Sequence, residues 1–385
     1  MIPVMKPWLG EEEAEAAAAA VRSGWVAQGP KVAAFEDAFA RRVAALHAVA
    51  TSSCTTALHI ALHLLDVRPG DEVVVPSLSF IATANAVRYC GATPVFADVE
   101  PETGNLSAAT VEPVLTDRTR AVILVHQAGV PADVDPLRAL CGPRGVTVVE
   151  DAACAAGSTY RGVPVGADAE VAAWSFHPRK LITTGEGGML TTNRAEWATR
   201  GRRLREHGMS VSAAERHSGG GAVVESYLET AFNYRMTDIQ AAVGLVQLSR
   251  LDAIVRRRRE LADRYHDLLA DVLGADVPGL RPVRDPGHGT TNYQSFWVML
   301  PDDLPVERND VLARLAERGV SARRGIMAAH LEPAYADHPR VDLPVTEAFT
   351  RRSLILPLYH DLTAADQDTV VEQLKAALHA PLVSR

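Results

Sequence analysis

The apolar positions of the first 250 residues fall into short unbroken runs separated by segments with helical spacing. The runs are rich in β-branched residues, which favours strands over buried helices. Runs without polar alternation are typical of strands buried on both faces of a mostly parallel sheet. We predict such strands at residues 72–75, 93–97, 121–125, 146–149, 171–175 and 189–191.

Helical segments lie before, between and after these strands. Residues 11–22 form an Ala/Glu-rich helix, and residues 55–65 and 136–141 connect neighbouring strands. Residues 252–273 form one long helix that leads out of the sheet. This order of strands and helices indicates an α/β fold with helices layered on a mostly parallel sheet.

The last third of the chain predicts a smaller α+β unit. A strand at 293–300 and a helix at 308–318 precede a final helix, which begins near Thr363. We therefore expect a large domain at residues 1–250 and a small C-terminal domain at residues 251–385.

Two further segments have a less regular pattern. The arginine run at residues 256–259 is typical of a solvent-exposed helix face. Residues 209–226 contain three consecutive glycines and no periodicity. So long an irregular segment is usually functional or mobile, and we predict a loop near the functional site or a subunit interface.

Composition and charge exclude several classes of protein. The 385 residues are 47% hydrophobic and carry a net charge of −8, which argues against a nucleic-acid partner. The four cysteines have no C-x-x-C spacing, so we expect reduced thiols, a cytoplasmic location and no metal site. The N-terminus lacks the apolar region of a signal peptide, and no run is long enough to span a membrane.

Lys180 is the most informative residue in the chain. The chain has 39 Lys and Arg residues, and only four of them are lysine. Arginine has thus replaced lysine nearly everywhere that a positive charge suffices. A guanidinium stays protonated, whereas a desolvated lysine amine can act as a nucleophile. The retention of Lys180 therefore favours covalent chemistry over a surface charge.

Four groups of residues fall at strand ends, where α/β sheets bind ligands. Hydroxyl and small residues at 52–58 form the start of a helix. They either bind an anion at the helix N-terminus or serve only as ordinary N-capping residues. Glu150 and Asp151 lie at the end of a buried strand. An acid at this position could act as a general base, pair with a cationic group of a ligand, or form a structural ion pair.

The other two groups are an aromatic side chain and the lysine segment. Phe80 follows the strand at 72–75 and either stacks on a flat ligand or packs in the core. Ser175 and Lys180 precede the glycines of residues 185–188, which permit close backbone approach. An anion site, a carboxylate, a flat stacking surface and a lone lysine are what pyridoxal phosphate (PLP) requires.

The sequence closely resembles the DegT/StrS-type sugar aminotransferases, which belong to the fold type I group of PLP enzymes. The resemblance implies a large domain with a mostly parallel, seven-stranded sheet and a small C-terminal α+β domain. The resemblance covers nearly the whole chain, and several motifs occur in the family's order. They are Ser23-Gly24-Trp25, Gly70-Asp71-Glu72-Val73, Val125-His126, Glu150-Asp151-Ala152-Ala153, Ser175-Phe176-His177-Pro178, Gly185-Glu186-Gly187-Gly188, Asn233-Tyr234-Arg235-Met236 and Ala241-Ala242.

The resemblance implies a role for each matching position. Lys180 would join the cofactor's aldehyde through its amine and then carry the proton between substrate and cofactor. Asp151 would pair with the pyridinium nitrogen, and Phe80 would stack on the ring. The phosphate would be bound by three residues, namely Cys54, Thr55 and Ser175.

The resemblance also bears on assembly and on one unusual position. Asn233 matches a residue that reaches the phosphate of the neighbouring subunit, which implies a homodimer with shared active sites. Cys154 stands where the family usually has Gln or His against the cofactor's 3-oxygen, and a thiol is a poorer hydrogen-bond partner. Relatives with His at the lysine position eliminate water instead, and Lys180 argues against that branch.

The resemblance implies transfer of an amino group from L-glutamate to a nucleotide-linked keto-sugar. Residues 125–133 and 328–330 look most like enzymes that aminate the 4-position, so a dTDP-4-keto-6-deoxyhexose for antibiotic or surface-glycan sugars is the expected substrate. UDP-linked 4-keto-sugars and 3-keto-sugars remain alternatives. Candidate substrate contacts, each equally compatible with a structural role, are Trp25, Arg235, His330 and Tyr335.

The sequence disfavours two functions of other classes. A nicotinamide-dependent oxidoreductase needs G-x-G-x-x-G after an early strand, and the chain has none. A regulatory protein that keeps the fold without turnover is disfavoured by the intact set of Lys180, Asp151 and Thr55.

Overall fold

The computed structural model describes residues 1–211, 224–274 and 276–379. The described helices are α1 Glu11–Arg22, α2 Pro30–Arg42, α3 Cys54–Leu64, α4 Ala82–Tyr89, α5 Ala108–Val111, α6 Val134–Cys141, α7 Ala195–Leu204, α8 Asp238–Ser249, α9 Leu251–Leu273, α10 Arg308–Glu317, α11 Pro344–Arg352 and α12 Ala364–His379. Within these segments, none of the helices combines the length and the apolarity that crossing a bilayer requires.

The described strands form three sheets. They are β1 His47–Thr51, β2 Glu72–Pro76, β3 Thr93–Ala97, β4 Thr119–Val125, β5 Thr147–Asp151, β6 Thr159–Tyr160, β7 Val163–Pro164, β8 Val171–Ser175, β9 Gly188–Thr192, β10 Arg281–Pro282, β11 Gly289–Thr290, β12 Phe296–Met299, β13 Arg323–Arg324 and β14 Ser353–Leu356.

The main sheet has seven strands in the order β1-β9-β8-β5-β4-β2-β3. Only β9 runs against the others, since it pairs antiparallel with both β1 and β8. The predicted α/β fold with a seven-stranded, mostly parallel sheet is therefore confirmed. The burial of nearly every residue of β2, β4 and β5 explains why their sequences lack polar alternation.

One strand of this sheet, β1, and several helices, α2 among them, were missing from the prediction. Strand β1 is a short, Ala-rich sequence, and α2 precedes it. In β1, Thr51 pairs with Gly188, and Gly188 also pairs with Ser175 of β8. This alignment places the start of α3 beside the end of β8.

The C-terminal third forms a four-stranded antiparallel sheet in the order β10-β12-β14-β13. The last helix begins with a capping box, in which the Thr363 Oγ accepts from the Asp366 amide at 3.1 Å and the Asp366 carboxylate accepts from the Thr363 amide at 3.1 Å. The chain's first residues also lie here, because the Ile2 amide donates to the Gly319 carbonyl at 2.8 Å.

Two predicted features have a different outcome. Arg258 is buried and donates to the carbonyls of Tyr293, Gln294 and Leu358, so the prediction of an exposed face is wrong at this position. Three backbone acceptors satisfy the guanidinium, which makes its burial tolerable. The predicted loop at 209–226 lies largely outside the described residues, since only 209–211 and 224–226 are described.

Candidate active site

The carboxyl edge of the main sheet brings the lysine segment, a carboxylate and a helix N-terminus together. Asp151 is the last residue of β5, and Ser175 is the last residue of β8. Lys180 follows β8 in a tight turn, in which its amide donates to the His177 carbonyl at 2.8 Å. Cys54, the first residue of α3, shares electrostatic contacts with Asp151 and Lys180.

The Lys180 amine is oriented by a thiol. Its Nζ donates to the Cys154 Sγ at 3.0 Å, and the residue is half-buried. Burial lowers the pKa of Lys180, but the neighbouring Cys154, Cys54 and Asp151 outweigh it and raise the pKa above its ordinary value. The amine is therefore protonated until a ligand or a reaction partner changes its surroundings.

The other three lysines have no comparable site. Lys6 is paired with Asp361 at 2.6 Å, and Lys375 is paired with Asp276 at 2.5 Å; all four side chains are more than 40% exposed. Lys31 is exposed at the start of α2. Lys180 is therefore the lysine that the fold places among buried functional groups.

Asp151 is a buried carboxylate, with 5% of the residue exposed. Its Oδ2 accepts from the Thr83 hydroxyl at 2.9 Å, and its Oδ1 accepts from the Ala153 amide at 3.2 Å. Burial raises the pKa of Asp151, and these hydrogen bonds together with the charge of Lys180 only partly offset it. Such a carboxylate would be stabilised by a further positive charge.

The adjacent Glu150 has a different environment. Its carboxylate accepts from the Arg138 guanidinium at 2.5 Å and lies 3.2 Å from the His126 Nε2. Since the Ala132 amide donates to His126 Nδ1, the imidazole proton is on Nε2 and points at Glu150. Glu150 is thus the structural member of the pair, and Asp151 is the one available to a ligand.

Replacing Glu150 with glutamine should destabilise the protein. Burial raises the pKa of Glu150, but its bonds to His126 and Arg138 outweigh this and hold the pKa below 4.5. The ion pair therefore contributes at neutral pH, and this contribution is lost as the pH falls below about 4.5. We expect Glu150→Gln to lower the free energy of unfolding by about 3 kcal/mol at pH 7. Urea denaturation measures this, and a difference from wild type that did not shrink in acid would contradict the assignment.

The N-terminus of α3 lies against the lysine segment. The Ser53 Oγ caps the helix by accepting from the Thr56 amide at 3.2 Å, which leaves the first-turn amides of Cys54 and Thr55 without intrahelical partners. A Cβ on Gly188 would lie 2.4 Å from the Ser53 oxygen and 2.5 Å from the Cys54 nitrogen. Glycine at 188 is therefore required for the close approach of β9 to this helix.

A methyl group at residue 188 should disturb the helix N-terminus. We expect Gly188→Ala to cost about 1–3 kcal/mol of stability, because the backbone of Ser53 and Cys54 must move. Gly142→Ala is the matched control, since a Cβ there meets no atom within 4 Å and its φ is negative. Thermal denaturation compares the two, and equal midpoints would show that the contact is not rigid.

Phe80 is not a core residue, since 71% of it is exposed. Its carbonyl accepts from the Thr83 amide at 3.1 Å, and Thr83 in turn holds Asp151. Phe80 is therefore connected to Asp151 through one intervening residue.

Cys154 is positioned by a residue from the C-terminal part of the chain. Asn292 is buried, and its amide group donates to the carbonyls of Cys154 at 2.8 Å and Ala156 at 2.9 Å. Its Oδ1 accepts from the Gln294 amide at 2.8 Å, and Gln294 donates to the Arg179 carbonyl at 2.6 Å. One segment thus holds both the thiol loop and the lysine turn.

Asn233, Arg235 and Trp25 lie at partly open positions. Asn233 is exposed and accepts from the Arg235 Nε at 3.0 Å. Trp25 packs beside Gly29, whose amide donates to Asp238 at 2.8 Å. These predicted contacts therefore lie on neighbouring segments.

His330 and Tyr335 are enclosed by the fold. The His330 Nδ1 lies 2.6 Å from the Ser77 Oγ, in the loop that follows β2, and its buried Nε2 lies 3.7 Å from the Glu347 carboxylate. The Tyr335 hydroxyl donates to Asn85 of α4 at 2.9 Å, and 3% of the residue is exposed. Their predicted contact with substrate stays a prediction.

The sheet edge, with its lone lysine, buried carboxylate and helix N-terminus, defines an enzyme of the PLP class. A family model for the DegT/DnrJ/EryC1/StrS aminotransferase family matches residues 7–375. The chain belongs to this family, whose members are PLP-dependent, and it is an aminotransferase.

Solved structures share this architecture. The aminotransferase TlmJ from Streptoalloteichus hindustanus is 37% identical with a TM-score of 0.88, over 98% of this chain and 99% of its own. DesV from S. venezuelae, solved with a ketimine intermediate, is 33% identical with a TM-score of 0.88, over 99% of both chains. Spr1654 from Streptococcus pneumoniae, solved in a PMP form, is 28% identical with a TM-score of 0.91, over 98% of this chain and 99% of its own.

Proposed function

We propose that this enzyme transfers the amino group of L-glutamate to a nucleotide-linked 4-keto-sugar, with dTDP-4-keto-6-deoxyglucose as the first candidate. The observation that carries the aminotransfer is the position of the Lys180 amine beside the Asp151 carboxylate and the N-terminus of α3. The choice of the 4-position depends on residues 125–133 and 328–330, which resemble those of 4-aminotransferases.

The side chains present fit PLP. Asp151 is buried with a raised pKa and hydrogen bonds from Thr83 and Ala153, so a cationic ring nitrogen would complete its environment. The amides of Cys54 and Thr55, with the Ser175 hydroxyl, would bind the phosphate. When bound, PLP supplies an electron sink for the carbon that loses its proton.

Lys180 would be both the attachment point and the proton carrier. Its amine is the only described lysine nitrogen at this edge of the sheet, and Cys154 orients it at 3.0 Å. Once released from the cofactor, the same amine would remove the α-proton of glutamate and return a proton to the cofactor's carbon. Its half-buried position would limit competition from water.

Asp151 would hold the ring nitrogen in its protonated form. A carboxylate fixed by two hydrogen bonds needs no reorganisation when charge develops on the ring. Phe80 would stack on the ring, since its side chain is exposed and its backbone carbonyl is hydrogen-bonded to the amide of Thr83, which holds Asp151. Cys154 would lie near the 3-oxygen, where Sγ replaces the usual amide or imidazole.

The partner subunit would complete the site. We propose a homodimer in which Asn233 reaches the phosphate of the other subunit, because Asn233 is exposed and adjoins Arg235. Trp25, Arg235, His330 and Tyr335 are the proposed contacts of the sugar and the diphosphate. Of these, His330 has a buried Nε2 that lies 3.7 Å from the Glu347 carboxylate.

Substrate preference can be measured directly. The holoenzyme would be incubated with L-glutamate and a panel of dTDP- and UDP-linked 4-keto- and 3-keto-sugars, and amino-sugar formation would be scored by mass. We expect the highest kcat/KM with the dTDP-linked 4-keto-6-deoxy sugar. Preference for a UDP-linked or 3-keto acceptor would overturn the substrate assignment but keep the aminotransfer. Absence of glutamate-dependent turnover with every acceptor would overturn both.

A further inference from the structure

We propose that this chain has a Zn²⁺ site formed by His59, His63 and Cys90, apart from the site of aminotransfer. One ligand atom from each of the three residues can be chosen so that all lie within 4.8 Å of one another. Two imidazoles and one thiol are a donor set that suits Zn²⁺.

The two histidines are arranged by helix geometry. His59 and His63 are four residues apart on α3, so they project from the same face. Their Nε2 atoms lie 3.2 Å apart. Two nitrogens bound to one tetrahedral zinc ion are about 3.3 Å apart, given zinc–nitrogen distances of about 2.0–2.1 Å. The pair is therefore already spaced as two ligands of one ion.

A hydrogen bond on the far side of His59 leaves its Nε2 available. The His59 Nδ1 lies 3.0 Å from the Tyr234 hydroxyl. When Nδ1 donates to that oxygen, the lone pair is on Nε2, as in zinc sites where an outer partner fixes the ligand's tautomer. Tyr234 thus takes the role of an outer-sphere residue.

Cys90 supplies the third donor from a different helix. It follows the last residue of α4 and is 8% exposed. On zinc binding the thiol would release its proton to solvent, and the sulfur would form a bond to zinc. His63 is half-buried and gives the ion a path from solvent, and water would fill the fourth coordination position.

Aromatic rings pack on the two histidines. Phe232 packs on His59 at 4.8 Å and on His63 at 5.1 Å between ring centroids, and Tyr234 stacks on Phe232 at 4.7 Å. The alternative interpretation is a hydrogen-bonded histidine pair in an aromatic cluster. That interpretation explains the 3.2 Å contact between the two imidazoles, but it does not explain why the Cys90 thiol lies beside them.

The ion would tie two helices that serve the active site. Helix α3 begins at Cys54, and α4 carries Thr83, which holds Asp151. Zinc at the opposite end of α3 would fix the separation of these helices. Because the ion binds the folded chain, it would raise the thermal denaturation midpoint.

The test uses tag-free holoenzyme, so that the cofactor occupies the active site and no purification tag binds metal. The protein is stripped with a chelator, exposed to Zn²⁺ and desalted, and its zinc content is measured by mass spectrometry. Wild type should retain one zinc per chain and gain a zinc-dependent rise in denaturation midpoint. Cys90→Ser and His63→Gln should each bind zinc at least about 10-fold more weakly and lose that rise.

Cys141→Ser is the matched control, because Cys141 is also a buried thiol, on α6, and its loss should leave the zinc content unchanged. Because Cys90→Ser and His63→Gln change different ligands, misfolding of one variant leaves the other as a test. Cofactor absorbance reports whether each variant is folded. Zinc retention that is equal in wild type, Cys90→Ser and His63→Gln would overturn the proposal. So would the absence of zinc uptake by the folded wild-type holoenzyme. Neither readout depends on the substrate of the aminotransfer.

Discussion

Lys180→Ala is expected to lower kcat by at least about 10⁴-fold, because the variant loses both the attachment point and the proton carrier. The substitution removes a side chain whose only described hydrogen bond is to Cys154, so the fold should survive. Single-turnover measurements with L-glutamate give the rate of the first half-reaction, and circular dichroism reports folding.

The matched control is Lys31→Ala, which removes an exposed lysine at the start of α2. It should retain wild-type turnover and cofactor absorbance. If Lys180→Ala kept more than a tenth of the wild-type rate, another group would have to carry the proton.

Asp151→Asn is expected to lower kcat by about 10²-fold or more while the protein still binds cofactor. The amide preserves the shape of the side chain and its bond to Thr83, but it cannot hold a proton on the ring nitrogen. The loss should appear in kcat more than in KM, because the charge matters most as the α-proton leaves.

Two companion variants make the result specific. Thr83→Val removes the hydroxyl that orients Asp151, and its kcat should lie between those of wild type and Asp151→Asn. Asp252→Asn, at a 78% exposed carboxylate, should have no effect. Near-normal turnover of Asp151→Asn would remove the proposed role.

The fold was predictable where burial leaves a periodic signal. Unbroken apolar runs gave six strands of the main sheet to within one or two residues, since burial on both faces excludes polar residues. Strand β1 was missed because two of its five residues are alanine and Val49 is its only β-branched apolar residue. Arg258 was misplaced because its three carbonyl partners come from distant segments.

The candidate site was predictable only in part. The residue pattern named Lys180 and the pair Glu150 and Asp151, and only the family resemblance singled out Asp151. The contacts that distinguish the two carboxylates, His126 and Arg138 on Glu150, cannot be read from the sequence. Thr83 and Asn292 carried no signal, because their partners are 68 and 138 positions away.

The proposed zinc ligands were missed for a similar reason. The spacing of paired cysteines does not reveal a site made of two histidines on α3 and one cysteine that follows α4. Only the packing of α3 against α4 brings these three residues together.

The most direct test of the central claim is to find the residue that carries the cofactor. The holoenzyme would be reduced with borohydride, digested, and analysed by peptide mass spectrometry. We expect the pyridoxyl group on Lys180 and on none of the other three lysines. A pyridoxyl group on Lys6, Lys31 or Lys375, or on no lysine, would contradict the account.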